Sequence, residues 1–166
     1  PRERIITPDD VRGEHPDVST AVTTTGWPLL DSSRGKAIFV LLGGGDLRAD
    51  YHSKFPNLES ATMFTMSVEN TPESAIFSNT NPIGNAEEIQ ALVEAGYIVR
   101  SRADDAEGGE ADNNETERRD KAIEIGAHSI STDYPTQVDG IEYWLDLNVR
   151  CNPISAPPDC SNDAIE

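Results

Sequence analysis

The sequence predicts an α/β fold, because strand-like apolar runs alternate with helical segments and each run ends in a polar cluster. Two of these runs, at 96–104 and 126–135, enclose a charged segment with helical spacing. In α/β folds the carboxyl ends of parallel strands carry the chemistry. Two architectures fit this order: a small complete doubly wound sheet, and half of a (β/α)8 barrel, since a full barrel needs about 200 residues or more.

The elements of the first half follow from capping signals and apolar runs. Thr7 can cap a helix that begins at Pro8, and Asp10 completes a capping-box pattern. The run 36–42 is apolar at nearly every position, which is typical of a parallel strand buried on both faces. It ends in three glycines, which predict a flexible loop to a helix, and the next strand is predicted at 61–68.

The second half is predicted to contain two helices and two strands. The helices cover 86–95 and 117–125, and the strands cover 97–102 and 127–132. Asn85 stands where a helix cap is expected. Gly96 and Gly126 follow the two helices, at the position where a left-handed glycine commonly ends a helix.

The charge of the chain excludes some classes of function. The sequence holds 30 acidic and 13 basic residues, which gives a net charge of −17. A nucleic-acid-binding protein needs a basic surface, and a protein held by charge on an anionic membrane needs one as well. The sequence also contains no apolar run long enough to predict a transmembrane helix.

Clustered carboxylates are candidate calcium ligands, since calcium takes oxygen ligands from acidic side chains. Asp104, Asp105, Glu107 and Glu110 lie together in one acidic segment. They lack the spacing of a calcium-binding loop. A solvated acidic loop is therefore the favoured interpretation of this segment.

Cys151 and Cys160 are close in sequence and enclose three prolines. Their spacing matches no metal-binding pattern and no CxxC redox motif, which favours a disulfide over two free thiols. A structural disulfide indicates an oxidising compartment. The expected location is therefore secreted or extracellular.

Several short motifs occur in order along nearly the whole chain. They are Thr7-Pro8-Asp9-Asp10, Gly26-Trp27-Pro28, Met63-Phe64-Thr65, Tyr97-Ile98-Val99-Arg100-Ser101-Arg102-Ala103-Asp104, Gly126-Ala127-His128, Ser131-Thr132-Asp133-Tyr134 and Arg150-Cys151-Asn152-Pro153. Together they resemble the C-terminal half of the bacterial and fungal calcium-dependent phosphoinositide phospholipase C-like proteins, which are similar to the glycerophosphodiester phosphodiesterases.

The resemblance implies that residues 1–148 supply roughly strands five to eight of a TIM barrel and that 149–166 form a disulfide-stapled tail. It also implies a secreted, calcium-dependent hydrolase that cleaves phosphodiester bonds in a phospholipid or related substrate. In this family the acid/base histidines and the carboxylates that hold the metal lie mostly in the N-terminal half. That half carries Gly-Thr-His-Asn-Ser-Tyr and Glu-Leu-Asp types of motif, and neither occurs in this sequence.

The expected partner is therefore the N-terminal half of the same barrel, as a separate fragment or chain, or another copy of this chain. We expect no catalytic residue in this chain and no activity from it alone. Its histidines are His15, His52 and His128, and His128 is interpreted as structural. The alternative function is a non-catalytic secreted module with a degenerate phosphodiesterase barrel that binds a partner, a sugar or calcium.

The candidate substrate-binding residues lie at the ends of the last two predicted strands. Arg100 and Arg102 share one face of their strand, since side chains alternate, and arginine binds phosphate oxygens in a fork geometry. Asp133 and Tyr134 are expected to line the substrate pocket. The competing interpretations are ion pairs for the arginines, a cap or an ion pair for Asp133, and a rim contact for Tyr134.

Overall fold

The computed structural model describes residues 2–105, 108–147 and 151–164. The helices are α1 (Pro8–Arg12), α2 (Val18–Thr24), α3 (Leu30–Ser33), α4 (Gly45–Lys54), α5 (Ala86–Glu94) and α6 (Glu117–Glu124). The strands are β1 (Val40–Leu41), β2 (Phe64–Thr65), β3 (Ile76–Ser78), β4 (Ile98–Arg102) and β5 (Ser129–Ser131). The strands pair in small parallel sheets, so the predicted α/β class is confirmed.

The chain divides into two compact units, Pro1–Phe77 and Ser78–Glu166. In the first unit, successive segments of the chain pair in parallel. The pairs are Ile5 with Ala37, β1 with β2, and Met66 with Ile76. Each pair joins segments that follow one another along the chain. Helices lie in the connections of the first two pairs, and turns without a helix connect Met66 to Ile76.

The predicted start of α1 is confirmed by its capping box. The Thr7 hydroxyl accepts a hydrogen bond from the N–H of Asp10, and the Asp10 carboxylate accepts one from the N–H of Thr7 at 2.8 Å. The core of this unit consists of small and apolar side chains below 3% exposed: Val18, Ala21, Val22, Leu58, Ala61 and Phe64. The Trp27 ring packs on Phe64 with 5.5 Å between ring centroids.

Two strands predicted in this unit are much shorter than expected. In the run 36–42, the side chains of Phe39 and Leu42 are 49% and 67% exposed, so the prediction of a fully buried strand is wrong. Ile5 pairs with Ala37 in this run, but the chain after Ile5 turns into α1 at Thr7. The pairing is therefore confined to the beginning of the run. In the run 61–68, the Ser67 hydroxyl accepts the main-chain N–H groups of 75 and 76, which ends the ladder.

The second unit follows the prediction more closely. Strands β4 and β5 lie within the predicted ranges and pair in parallel. Helix α5 buries Ile89, Leu92 and Val93, and Gly96 and Gly126 have positive φ angles of 96° and 72° after their helices. Asn85 occupies the cap position of α5 without a side-chain capping hydrogen bond, and its side-chain amide donates to Asn79 Oδ1 at 3.0 Å.

The C-terminal tail is tied to the second unit by side-chain contacts. The predicted disulfide between Cys151 and Cys160 is present. The Asn152 amide donates to the carbonyl oxygen of Gly126 at 2.7 Å, so the tail packs beside the end of α6. No helix in the described ranges is long and apolar enough to cross a membrane.

Candidate functional site

The carboxyl ends of β4 and β5 lie at one edge of the second unit. The two strands pair Arg102 with Ser131. The N–H of Ala103 extends the pairing by donating to the carbonyl oxygen of Ser131 at 2.8 Å. Because the strands are parallel and in this register, the residues that follow each strand lie side by side.

Asp104 is the buried centre of this edge, with 1% of its surface exposed. Its Oδ1 accepts the main-chain N–H of Asp133 at 2.8 Å, and its Oδ2 accepts hydrogen bonds from the hydroxyls of Thr132 and Tyr143. Such donors stabilise a carboxylate that is withdrawn from water. The expectation that Asp104 belongs to a solvated loop is therefore wrong, because donors from distant parts of the chain enclose it.

Tyr143 completes this network from a later part of the chain. Its side chain is fully buried, and its hydroxyl lies 2.9 Å from the carbonyl oxygen of Ala103 and 3.2 Å from Asp104 Oδ2. Burial raises the pKa of Tyr143, and the neighbouring Asp104 carboxylate raises it further. The hydroxyl therefore keeps its proton and acts as a donor.

Arg102 is held at two points along its guanidinium. Its Nε donates to the main-chain carbonyl oxygen of Asp104 at 3.0 Å, and its Nη2 donates to Asp133 Oδ2 at 3.4 Å. The two side chains of this ion pair are 28% and 49% exposed. An exposed pair at this distance contributes little stability. Arg102 is thus oriented by its neighbours without being neutralised in a buried ion pair.

Tyr134 joins the site and Arg100 takes a different partner. The Tyr134 ring meets the Tyr143 ring edge to face, with 5.8 Å between centroids, and its N–H donates to the Thr132 hydroxyl at 2.9 Å. Arg100 Nη1 donates to Ser78 Oγ at 3.1 Å. Of the four predicted substrate-binding residues, the structure brings Arg102, Asp133 and Tyr134 together around Asp104.

Glu110 supports the same region from the acidic segment. Its carboxylate accepts the N–H of Asp105 at 3.1 Å and Nη1 of Arg118 at 2.9 Å. Burial by itself raises the pKa of Glu110, but the hydrogen bonds from Arg118 and the main chain outweigh it and lower the pKa. The carboxylate is therefore a structural acceptor, and the solvated-loop expectation is wrong for this residue too. Glu107 lies outside the described residues.

The described residues do not fit a calcium site. Within 2–105, 108–147 and 151–164, no three acidic, histidine or cysteine side chains gather as a metal-binding group. Calcium needs six to eight oxygen ligands. The carboxylates of Asp104 and Glu110 are already engaged by donors of the protein itself.

The histidines occupy separate structural positions. His128 Nδ1 accepts the N–H of Val99 at 3.2 Å, and its Nε2 lies 3.3 Å from Ser155 Oγ. Because Nδ1 is an acceptor, the neutral ring carries its proton on Nε2. Although the residue as a whole is exposed, burial of part of the ring lowers the pKa of His128. His15 and His52 each contact a threonine hydroxyl.

Sequence reasoning missed Thr132 and Tyr143 as members of this site and misjudged Asp104. Thr132 stands directly before Asp133, so its position after a predicted strand was a usable signal. Tyr143 is 39 residues from Asp104, and no periodicity links the two. Their contact depends on the path of the loop after β5, which the sequence pattern does not determine.

Comparison with known families gives a match over most of the chain. The family described as "Phosphoinositide phospholipase C, Ca2+-dependent" matches residues 1–153. This range includes β4, β5 and every residue of the site at their carboxyl ends. No curated protein and no solved structure matches the chain at a significant level.

Proposed function

The chain belongs to the calcium-dependent phosphoinositide phospholipase C family, and we propose that it supplies the phosphate-binding edge of a phosphodiesterase. The substrate is a phosphodiester of the phosphoinositide class. The observation that carries this proposal is the position of Arg102. Its guanidinium is held at two points beside the carboxyl ends of two parallel strands, and its side chain remains 28% exposed.

This arrangement suits the recognition of a phosphate group. A guanidinium presents several N–H donors in a rigid plane, and it pairs with phosphate oxygens through charge-assisted hydrogen bonds. Within the described residues, Nη1 of Arg102 has no hydrogen-bond partner. In our proposal Arg102 binds the phosphate, Arg100 adds positive charge from the same strand, and Asp133 and Tyr134 shape the pocket.

The strand order supports a place within a (β/α)8 barrel. In the first unit, successive segments pair in parallel in chain order, and in the second unit β4 lies beside β5. A doubly wound sheet reverses its strand order at a switch point. Within each unit of the described chain, the parallel pairs join segments that are neighbours in chain order. We propose that the chain forms roughly strands five to eight of a barrel.

A half barrel leaves its first and last strands with open edges. In our proposal these edges pair with the N-terminal half of the barrel, as a separate fragment or chain, or with another copy of this chain. The N-terminal half also supplies the acid/base histidines and most of the calcium ligands. The disulfide between Cys151 and Cys160 supports an extracellular location.

A second candidate function is a non-catalytic secreted binding module with a degenerate barrel. The positions of the histidines favour it. His15 and His52 contact threonine hydroxyls, and His128 accepts a main-chain N–H, so each has a structural partner within its own unit. A module of this kind binds a partner, a sugar or calcium without cleaving a phosphodiester bond.

The deciding experiment measures cleavage of phosphatidylinositol in detergent micelles. It uses the natural form of the protein, which means the chain together with any partner chain that accompanies it in its source. We expect Arg102→Ala to lower kcat/KM by about 10- to 100-fold, because a charge-assisted hydrogen bond to phosphate is lost. Arg34→Ala is the matched control, since Arg34 is an exposed arginine whose ion pair with Asp31 lies within the first unit. No cleavage by the wild-type protein would leave the binding module as the surviving candidate.

A further inference from the structure

We propose that Asp104 is a positioning residue that sets the orientation of the Arg102 guanidinium and, through it, the affinity of the site for phosphate. This inference rests on the proposed function, since it requires Arg102 to contact phosphate. It concerns a side chain with 1% of its surface exposed, which cannot itself reach a substrate. Its action must therefore pass through the residues that it touches.

Both anchors of the Arg102 guanidinium depend on Asp104. The first anchor is the main-chain carbonyl oxygen of Asp104 itself, which accepts Nε at 3.0 Å. The second is the Asp133 carboxylate, which accepts Nη2 at 3.4 Å. The main-chain N–H of Asp133 in turn donates to Asp104 Oδ1 at 2.8 Å. One carboxylate therefore fixes both residues that hold the arginine.

The Asp104 carboxylate is itself fixed from two further directions. Its Oδ2 accepts hydrogen bonds from Thr132, directly after β5, and from Tyr143, 39 residues along the chain. The Thr132 hydroxyl also accepts the N–H of Tyr134 at 2.9 Å. A buried carboxylate tolerates little movement when every donor around it is fixed. The network is thus a rigid base for the Arg102 side chain, which is 28% exposed.

A rigid base matters because arginine is long and has many rotamers. A guanidinium that is already oriented loses less freedom when it binds phosphate than one that is mobile. Loosening the network should therefore raise KM by about 3- to 10-fold. It should change kcat less, since loss of uniform binding raises KM and leaves kcat unchanged.

Thr132→Val is the first variant, because it removes one donor to Asp104 and keeps the shape of the side chain and the charge of the carboxylate. Thr132→Ser is its conservative partner and should restore wild-type KM, since it retains the hydroxyl. Tyr143→Phe removes the other hydroxyl donor and gives an independent reading. Asp104→Asn tests the carboxylate directly, and the other variants decide the question if it fails to fold.

The test is a double-mutant cycle that measures kcat and KM for micellar phosphatidylinositol with the natural-form protein. We expect Thr132→Val to raise KM about 3- to 10-fold with Arg102 present and to have no further effect in the Arg102→Ala background. An equal effect of Thr132→Val in both backgrounds would overturn the inference, because the network would then act on the fold and not through Arg102.

The same cycle separates failure of this inference from failure of the proposed function. If Arg102→Ala leaves both kcat and KM unchanged, Arg102 does not bind phosphate, and the proposed function and the inference fall together. If Arg102→Ala raises KM but Thr132→Val and Tyr143→Phe do not, the phosphate site stands. The positioning role of Asp104 is then excluded.

Discussion

The main-chain N–H of Asp133 donates to Oδ1 of Asp104 at 2.8 Å and thereby joins the segments that follow two neighbouring parallel strands. Asp104 follows β4 and Asp133 follows β5, so the hydrogen bond extends the contact between the strands beyond their paired residues. Arg102 is held by both of these residues.

Tyr143→Phe should lower the free energy of unfolding by about 1.5–3 kcal/mol, the range for a hydrogen bond to a charged group. The variant removes a fully buried hydroxyl whose proton is shared between the Ala103 carbonyl oxygen and the Asp104 carboxylate. Urea unfolding measures the change. Tyr134→Phe is the matched control, because the Tyr134 hydroxyl has no hydrogen-bond partner among the described residues and should cost little. Equal losses for both variants would show that the Tyr143 hydroxyl contributes no more to stability than the Tyr134 hydroxyl.

Asp133→Asn should strengthen the binding of inorganic phosphate by about 2- to 5-fold, the range expected from losing an exposed ion pair. The Asp133 carboxylate competes with phosphate for Arg102, while its main-chain N–H still supports Asp104 after the change. Titration calorimetry measures the affinity. Asp139→Asn, which removes one exposed negative charge from the loop after β5, is the control. The asparagine amide oxygen can still accept Nη2 of Arg102. Weaker binding by Asp133→Asn would therefore mean that the negative charge matters more for anchoring Arg102 than for competing with phosphate.

The stability of the protein should fall as the pH drops from 7.5 to 5. Burial of part of the ring lowers the pKa of His128, and its Nδ1 accepts the N–H of Val99. The unfolded chain, with an ordinary histidine pKa of about 6.5, therefore takes up a proton first. The contribution is complete above about pH 6.5 and is lost as the pH falls through the lowered pKa.

Urea unfolding at several pH values tests this dependence. His128→Asn should flatten it, because an amide oxygen can accept the Val99 N–H and does not titrate. His15→Asn is the control, since it removes a histidine whose contact is with an exposed threonine hydroxyl. Carboxylates with lowered pKa values, such as Glu110, lose their contributions at more acidic pH. An unchanged slope in His128→Asn would contradict the assignment.

Loss of the disulfide should lower the free energy of unfolding by about 2.5–3 kcal/mol, the loop-entropy value for a closed loop of this size. The bond joins Cys151 to Cys160 with a sequence separation of 9. The replacement of both cysteines by serine should match the wild-type protein in reducing agent. If reduction leaves the unfolding midpoint unchanged, the tail contributes nothing to the stability of the second unit.

Local signals in the sequence predicted the local structure well. The capping box at Thr7 and the glycines after α5 and α6 act through neighbouring residues, and all three are present as predicted. The prediction of a fully buried strand at 36–42 was wrong, because the burial of this run depends on the segments beside it. Strand β3 was not predicted, since three residues are too few for a periodic pattern.

The candidate site was predictable only for those residues whose positions follow from local sequence patterns. Arg102, Asp133 and Tyr134 were placed correctly at the ends of strands because alternation and strand order are readable from sequence. Asp104 looked like one acid among many in a charged segment. Its burial depends on Thr132, Asp133 and Tyr143, which lie 28 to 39 residues away, and no local pattern encodes those contacts.

In our proposal Arg102 binds the phosphate of the substrate. The most direct test is the dissociation constant of inorganic phosphate, measured by titration calorimetry for the natural-form protein and for Arg102→Ala. We expect binding that is about 10- to 100-fold weaker in the variant, because a charge-assisted hydrogen bond is lost. Equal affinity in the two proteins would rule out this role of Arg102, since the phosphate would then bind without it.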